Sequence, residues 1–112
     1  MVSGEVKKGE VYLYWIGKKE AQGTEIKKIR PGVVISTNNL NKWDYRFIVA
    51  PITKRTKQFL DFEVPVIVNG QEGLAILDQI KTIDKSRLIK KLGQLTAEEM
   101  LTIREKIDLV FD

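Results

Sequence analysis

The sequence lacks two residue types that carry much of enzyme chemistry. None of its 112 residues is cysteine, which excludes disulfide bridges, thiolate metal sites and cysteine nucleophiles. Histidine, the side chain that most often transfers protons near neutral pH, is also absent. Any hydrolytic chemistry must therefore use carboxylates, arginine, lysine or hydroxyl groups.

Long apolar segments are missing as well. Runs such as residues 47–52 are far shorter than the ~20 residues that span a bilayer, and residues 1–10 are polar, unlike a signal peptide. Carboxylates with metal-binding spacing are also missing, so neither a metal ion nor another cofactor is expected. The length predicts one domain, residues 1–112, which we expect to be cytoplasmic and without a membrane partner.

Positive charge is present and unevenly distributed. The net charge is +4, and residues 1–95 hold 17 Lys and Arg against 10 Asp and Glu, whereas residues 96–112 hold two against five. A positive body suits a polyanionic partner such as nucleic acid. On charge alone, a well-solvated lysine-rich surface explains the same distribution equally well.

Short strands separated by turns dominate the pattern. Strands are predicted at residues 11–16, 33–36, 46–52, 62–68, 74–77 and 80–83. A basic loop is predicted at 17–29, turns at 37–44 and 54–57, a tight turn at Asn69-Gly70 and one helical turn at 84–88. Pro65 cannot donate to a strand ladder, which makes 62–68 an edge strand.

The chain ends in a predicted helix. Thr96 and Glu99 have the spacing of a capping box, and Leu95 and Met100 that of a hydrophobic staple. One apolar face follows, formed by Met100, Ile103, Ile107, Val110 and Phe111. The pattern therefore predicts a mainly β fold, a small barrel-like sheet with a C-terminal helix, basic enough to bind nucleic acid.

Three segments, in this order and spacing, are similar to one known family. The first, KGEVY at 8–12, is similar to the family's RGDVY. The second, GTE at 23–25 with IRP at 29–31 and VVIS at 33–36, is similar to GSEQ…RPVVVI. The third, IVAPIT at 48–53 with LDQIKTIDKSRL at 77–88, is similar to VAPIT…LDQIRTIDKSRL. The chain thus resembles the MazF/PemK toxin endoribonucleases of type II toxin–antitoxin systems. The likeness extends from about residue 8 to the final helix.

The resemblance implies a fold and an activity. The fold would be an SH3-like small barrel of the CcdB/PemK type, and the protein a homodimer. The activity would be sequence-specific, metal-independent cleavage of single-stranded RNA, including mRNA, by attack of the 2′-hydroxyl, which leaves a cyclic phosphate. A cognate antitoxin would be the protein partner, and the two together would bind DNA.

Such cleavage needs a base for the hydroxyl proton, a positive group for the phosphorane and an acid for the leaving oxygen. By the resemblance, Arg30 is the main catalytic residue, Thr53 donates a hydrogen bond to the phosphate, and Asp78 or Gln79 assists or positions the base. Whether Asp78 or another group is the general base stays open. Pro31 favours an extended backbone at Arg30. In the PemK branch an aspartate at the position of Asp78 acts as the base and an arginine two residues earlier acts as the acid. That earlier position is Ile76 in this sequence, so a PemK-style pair is not expected here.

Further residues are predicted to contact RNA. Candidates for the RNA backbone are Lys27, Lys28, Lys54, Arg55 and Lys57, and candidates for base edges are Thr24 and Gln79. Trp15 and Trp43 could stack on a base, although core packing is the expected role of both.

Two other functions remain open at this point. One is a CcdB-like inhibitor of DNA gyrase, which would share the barrel without needing Arg30 and Thr53 together. The other is a non-catalytic module that binds RNA or an antitoxin.

Overall fold

The computed structural model describes residues 2–17 and 28–111. Within them the elements follow the chain in this order: β1 (Glu10–Gly17), β2 (Lys28–Val34), α1 (Asn38–Asn41), β3 (Arg46–Thr53), β4 (Glu63–Val68), β5 (Gln71–Ile76), β6 (Lys81–Asp84), β7 (Leu88–Gln94) and α2 (Ala97–Phe111). Two short 3-10 turns, Leu77–Gln79 and Lys85–Arg87, flank β6. The mainly β fold with a C-terminal helix is confirmed.

Antiparallel pairing arranges the strands in the order β4-β5-β3-β2-β1-β7, and β6 pairs with β3 beyond the end of β5. The sheet curls until its two ends meet. The Asn69 side chain, in the turn between β4 and β5, donates a hydrogen bond to the carbonyl of Leu92 in β7. The sheet therefore forms a partly closed barrel.

Two hydrophobic cores lie on opposite faces of the central strands. Val33, Ala50 and Ile52 belong to the first core, which Ile103 of α2 covers. The second core is formed by Val6, Tyr12, Tyr14, Val34, Phe47, Val49, Ile83 and Leu88. Because side chains alternate along a strand, the sequence position fixes which core each residue of β2 and β3 faces.

Helix α2 begins with the predicted capping box. The Thr96 N–H donates to Oε1 of Glu99 over 2.8 Å, and the Glu99 N–H donates to the Thr96 hydroxyl over 3.1 Å. The other carboxylate oxygen of Glu99 accepts the Ile67 N–H of edge strand β4 over 2.9 Å. One part of the helix prediction is wrong: Phe111 is 70% exposed, whereas its neighbour Val110 packs against the first core.

Several sequence predictions are confirmed. Asn69 and Gly70 have positive φ angles of 52° and 80°, as a tight hairpin turn requires. Strand β4 lies at the edge of the sheet, with Pro65 exposed.

Others differ from the structure. Strand β2 begins at Lys28 rather than residue 33, and a helical turn, α1, occupies part of 37–44. Strand β7 was not predicted, because two register shifts against β1 disturb its alternation. Trp43 is 73% exposed, so the core role expected for it is wrong.

Candidate active site

Arg30 and Thr53 lie at the same end of two neighbouring strands. In the ladder between β2 and β3, Gly32 pairs with Pro51 and Val33 with Ala50. Continuing this register by two residues places Arg30 opposite Thr53, on strands roughly 5 Å apart. Their neighbours Pro31 and Ile52 line one cavity, which Thr53 also borders.

The two side chains also share a face of the sheet. Val34 and Val49 face the second core, and alternation carries the same face to Arg30 in β2 and to Thr53 in β3. Arg30 is exposed and Thr53 is partly buried. Within the described residues, Arg30 forms no ion pair with a carboxylate. Its charge is therefore available to an anion at this strand end.

The hydroxyl of Thr53 is oriented by the chain that follows it. Its oxygen accepts the backbone N–H of Arg55 over 3.3 Å. A hydroxyl that accepts one hydrogen bond still has a proton to donate. This turn therefore leaves the Thr53 proton free for a ligand.

Beside Thr53 lies a cavity of about 390 Å³. Its apolar wall consists of Leu13, Ile29, Pro31, Ile52, Val68 and Leu92. Its polar rim consists of Thr53, Lys54, Asn69, Gln71 and Glu72. A flat apolar ligand with polar edges fits such a lining.

Asp78 and Gln79 occupy a different part of the sheet. They are exposed on the 3-10 turn between β5 and β6, which the fully buried Leu77 anchors. Ala75 pairs with Ile52 and Lys81 with Val49, so the turn lies beside the middle of β3, roughly 10 Å along the strand from Thr53. It is also on the side of β3 opposite β2. The backbone therefore separates Asp78 from Arg30 within one chain.

Arg55 has a structural partner. Its guanidinium forms two hydrogen bonds with the carboxylate of Glu63, of 3.1 and 2.9 Å, and stacks 4.6 Å from the ring centre of Phe59. Glu63 also accepts the N–H groups of Phe59 and Leu60. The hydrogen bonds from Arg55 and Phe59 lower the pKa of Glu63 to about 2. This ion pair closes the loop that follows Thr53.

The remaining predicted RNA contacts divide into three groups. Lys54 and Lys57 are exposed in the loop after Thr53, and Lys54 borders the cavity. Lys28 begins β2. Thr24 and Lys27 lie outside the described residues. Trp15 is half-buried on β1.

Two absences hold for the part of the chain that the structure describes. No three carboxylates come together there in a group that could hold a metal ion. No helix there has the length and apolar character to cross a bilayer.

Comparison with known proteins identifies the family. Residues 7–111 match the profile of the PemK-like, MazF-like toxins of type II toxin–antitoxin systems. The chain belongs to this family. Among curated MazF proteins, the endoribonuclease MazF of Staphylococcus saprophyticus is 32% identical over 109 residues, which cover 93% of this chain and 89% of that protein.

Solved structures of MazF toxins share the fold. A MazE–MazF structure from Deinococcus radiodurans has a TM-score of 0.82 at 22% identity, with 97% of each chain covered. An endoribonuclease from a mycobacterial species, in complex with its cognate antitoxin, has a TM-score of 0.78 at 20% identity and covers 95% of this chain and 94% of that one. The small barrel expected from the sequence is thereby confirmed as the MazF fold.

In this MazF-family chain the structure adds candidate site residues that the sequence did not indicate. Glu72, Asn69 and Gln71 border the cavity beside Thr53, although they belong to a hairpin about 20 residues later in the chain. Tyr14 lies directly opposite Arg30 in the ladder between β1 and β2. Long-range strand pairing alone brings these residues to the site, so no local pattern could have indicated them.

Proposed function

We propose that this chain is the toxin of a type II toxin–antitoxin pair and an endoribonuclease that cleaves single-stranded RNA between Arg30 and Thr53. The observation that supports the proposal is the register of the β2–β3 ladder, which pairs Gly32 with Pro51 and, continued by two residues, brings Arg30 opposite Thr53. One brings a cation without a carboxylate partner among the described residues, and the other a hydroxyl with a free proton.

Arg30 would stabilise the transition state. When the 2′-oxygen attacks phosphorus, negative charge builds on the non-bridging oxygens of the phosphorane. A guanidinium keeps its charge at any working pH and can donate two parallel hydrogen bonds to two of those oxygens. Donors already fixed in the site favour the transition state over the ground state.

Thr53 would add a donor from the neighbouring strand. With its oxygen held by the Arg55 N–H, its proton would be directed to a phosphate oxygen between the strands. The P–O bond to the 5′-oxygen then breaks, and that oxygen takes up a proton from water to leave as a 5′-hydroxyl, which balances the proton that the base removes from the 2′-hydroxyl. The other product carries a 2′,3′-cyclic phosphate.

The base that takes the 2′-hydroxyl proton would be a carboxylate. Asp78 is the residue that the family resemblance suggests, and it is exposed and able to accept a proton. Glu72 borders the cavity beside Thr53, which makes it the competing candidate. Lys54, Lys57, Lys27 and Lys28 would bind the RNA backbone, and Gln79 and Thr24 would contact bases.

The proposal extends to partners. We expect a homodimer that acts in the cytoplasm and a cognate antitoxin whose acidic or amphipathic segment covers the basic strand end, where it competes with RNA for the same charge. The mycobacterial endoribonuclease was solved in complex with its cognate antitoxin and the Deinococcus radiodurans MazF with MazE, which supports this part of the proposal.

The test is cleavage of a long unstructured RNA by purified protein in EDTA. Fragments that end in 2′,3′-cyclic phosphate are expected, and Arg30→Ala should abolish them while leaving the thermal unfolding midpoint unchanged, because Arg30 is exposed. Full cleavage by Arg30→Ala would refute the mechanism. Intact RNA together with gyrase inhibition would refute the function.

A further inference from the structure

Tyr14 carries a buried hydroxyl without a hydrogen-bond partner. The side chain is 1% exposed, and among the residues that the structure describes its oxygen is the only buried side-chain polar atom left without a partner. Burying a hydroxyl unpaired destabilises a folded protein, so native structures rarely do it without a functional reason. The neighbouring Tyr12 shows the ordinary arrangement, with its hydroxyl donating to Glu10 over 2.9 Å.

The Tyr14 ring crosses the strand that carries Arg30. Its Cε1 lies only 2.7 Å from where a Cβ on Gly32 would be, so the absence of a side chain at Gly32 makes room for the ring. Tyr14 and Arg30 are paired residues in the ladder and share the face of the second core. The ring therefore passes over β2 beside Arg30, on the face that Thr53 shares.

The pKa of Tyr14 responds both to burial and to the charge of Arg30. Burial raises the pKa of the Tyr14 hydroxyl, and the positive charge of Arg30 offsets part of that rise. The ladder pairing places Tyr14 and Arg30 side by side on neighbouring strands, although no hydrogen bond reaches the Tyr14 hydroxyl. Tyr14 stays protonated at neutral pH, and its oxygen can accept an N–H from arginine.

Arg30 needs such a contact to act as a fixed donor. It is exposed and has no carboxylate partner among the described residues, so its long side chain is free to adopt many rotamers. Immobilising that side chain costs conformational entropy, and a partner that holds the guanidinium in place lowers the cost at the moment of reaction.

We propose that Tyr14 is a positioning residue for Arg30: in the RNA-bound protein its buried hydroxyl accepts a hydrogen bond from the guanidinium and holds it toward Thr53. This inference rests on the proposed ribonuclease function. The Tyr14 hydroxyl thus lacks a partner in the free protein and gains one, the Arg30 guanidinium, when the substrate binds.

The test compares Tyr14→Phe, which keeps the ring over Gly32, with Tyr12→Phe as a matched control. In Tyr14→Phe, kcat for RNA cleavage should fall about ten- to a hundredfold, as expected for a hydrogen bond to a charged group, with KM nearly unchanged. Its unfolding midpoint should stay the same or rise. Tyr12→Phe should show the reverse, with a lower midpoint and unchanged cleavage.

A second measurement does not depend on catalysis. NMR of the protein bound to a 2′-O-methylated RNA, which cannot be cleaved, should show a slowly exchanging Arg30 Nε–H that Tyr14→Phe abolishes. Unchanged kcat, a lowered midpoint or an unaltered Arg30 signal in Tyr14→Phe would each overturn the inference. If the wild-type protein cleaves RNA and Tyr14→Phe cleaves it equally well, this inference alone fails; if the wild type cleaves none, the proposed function fails first.

Discussion

Gly73 provides the sharpest test of what fixes the position of Thr53, because the backbone of β5 approaches the end of β3 very closely at this residue. A Cβ at Gly73 would lie 2.3 Å from the carbonyl oxygen of Thr53, whereas such contacts essentially never fall below 3.0 Å. Gly73→Ala must therefore move β5 or the end of β3 by at least 0.7 Å. Neither the added Cβ nor the Thr53 carbonyl oxygen can rotate away, since both are attached directly to the backbone.

Two losses should follow. Overpacking of this kind lowers the free energy of unfolding by about 1–3 kcal/mol, and the unfolding midpoint by about 4–8 °C for each kcal/mol. A displacement near 1 Å at a reacting group also lowers cleavage, by up to about a hundredfold. Thermal unfolding measures the loss of stability. Single-turnover cleavage, assayed well below the unfolding midpoints of both the wild type and Gly73→Ala, measures the loss of activity.

Gly93→Ala is the matched control. Its added Cβ would lie 3.1 Å from Oδ1 of Asn69, the end of a side chain that can adjust, so we expect a smaller loss of stability and normal cleavage. If Gly73→Ala unfolds at the wild-type midpoint, the close approach of β5 to Thr53 is refuted. If it unfolds earlier but the folded protein cleaves RNA normally, the position of Thr53 does not matter to the chemistry.

Three further predictions concern the Thr53 hydroxyl, the stability of the Glu63–Arg55 ion pair at low pH and the identity of the general base. Thr53→Val should reduce cleavage about a hundredfold, as loss of one transition-state donor does, and Thr53→Ser should restore most of it in the same single-turnover assay. The hydrogen-bonded ion pair with Arg55 lowers the pKa of Glu63 from 4.5 to about 2. The contribution of this ion pair to stability is therefore full above pH 4.5 and is lost as the pH falls through 2. Unfolding midpoints measured across that range should fall more steeply for the wild type than for Glu63→Gln. If Asp78 is the base, Asp78→Asn should remove the acidic limb of the pH–rate profile and Glu72→Gln should leave it in place; the opposite result would assign the base to Glu72.

The sequence predicted the elements whose cause is local. The capping box of α2 and the turn at Asn69-Gly70 depend on neighbouring residues, and both form as expected. Strand β7 and the early start of β2 depend on pairing with β1, which no local pattern reports. The exposure of Trp43 is also a property of the tertiary structure: the residue lies in the turn between α1 and β3 and is 73% exposed.

The candidate site shows this limit most clearly in its two arginines. Apart from the family resemblance, which singles out Arg30, the sequence distinguishes Arg30 and Arg55 poorly, since each stands in a basic segment beside a strand. The structure distinguishes the two arginines. Arg55 forms an ion pair with Glu63. Arg30 has no such partner among the described residues and lies at the same strand end as the Thr53 hydroxyl. A cation already paired within its own chain must give up that partner before it can bind phosphate, and a free one need not. We therefore assign the phosphate to Arg30 and assign to Arg55 the task of fixing the turn that orients Thr53.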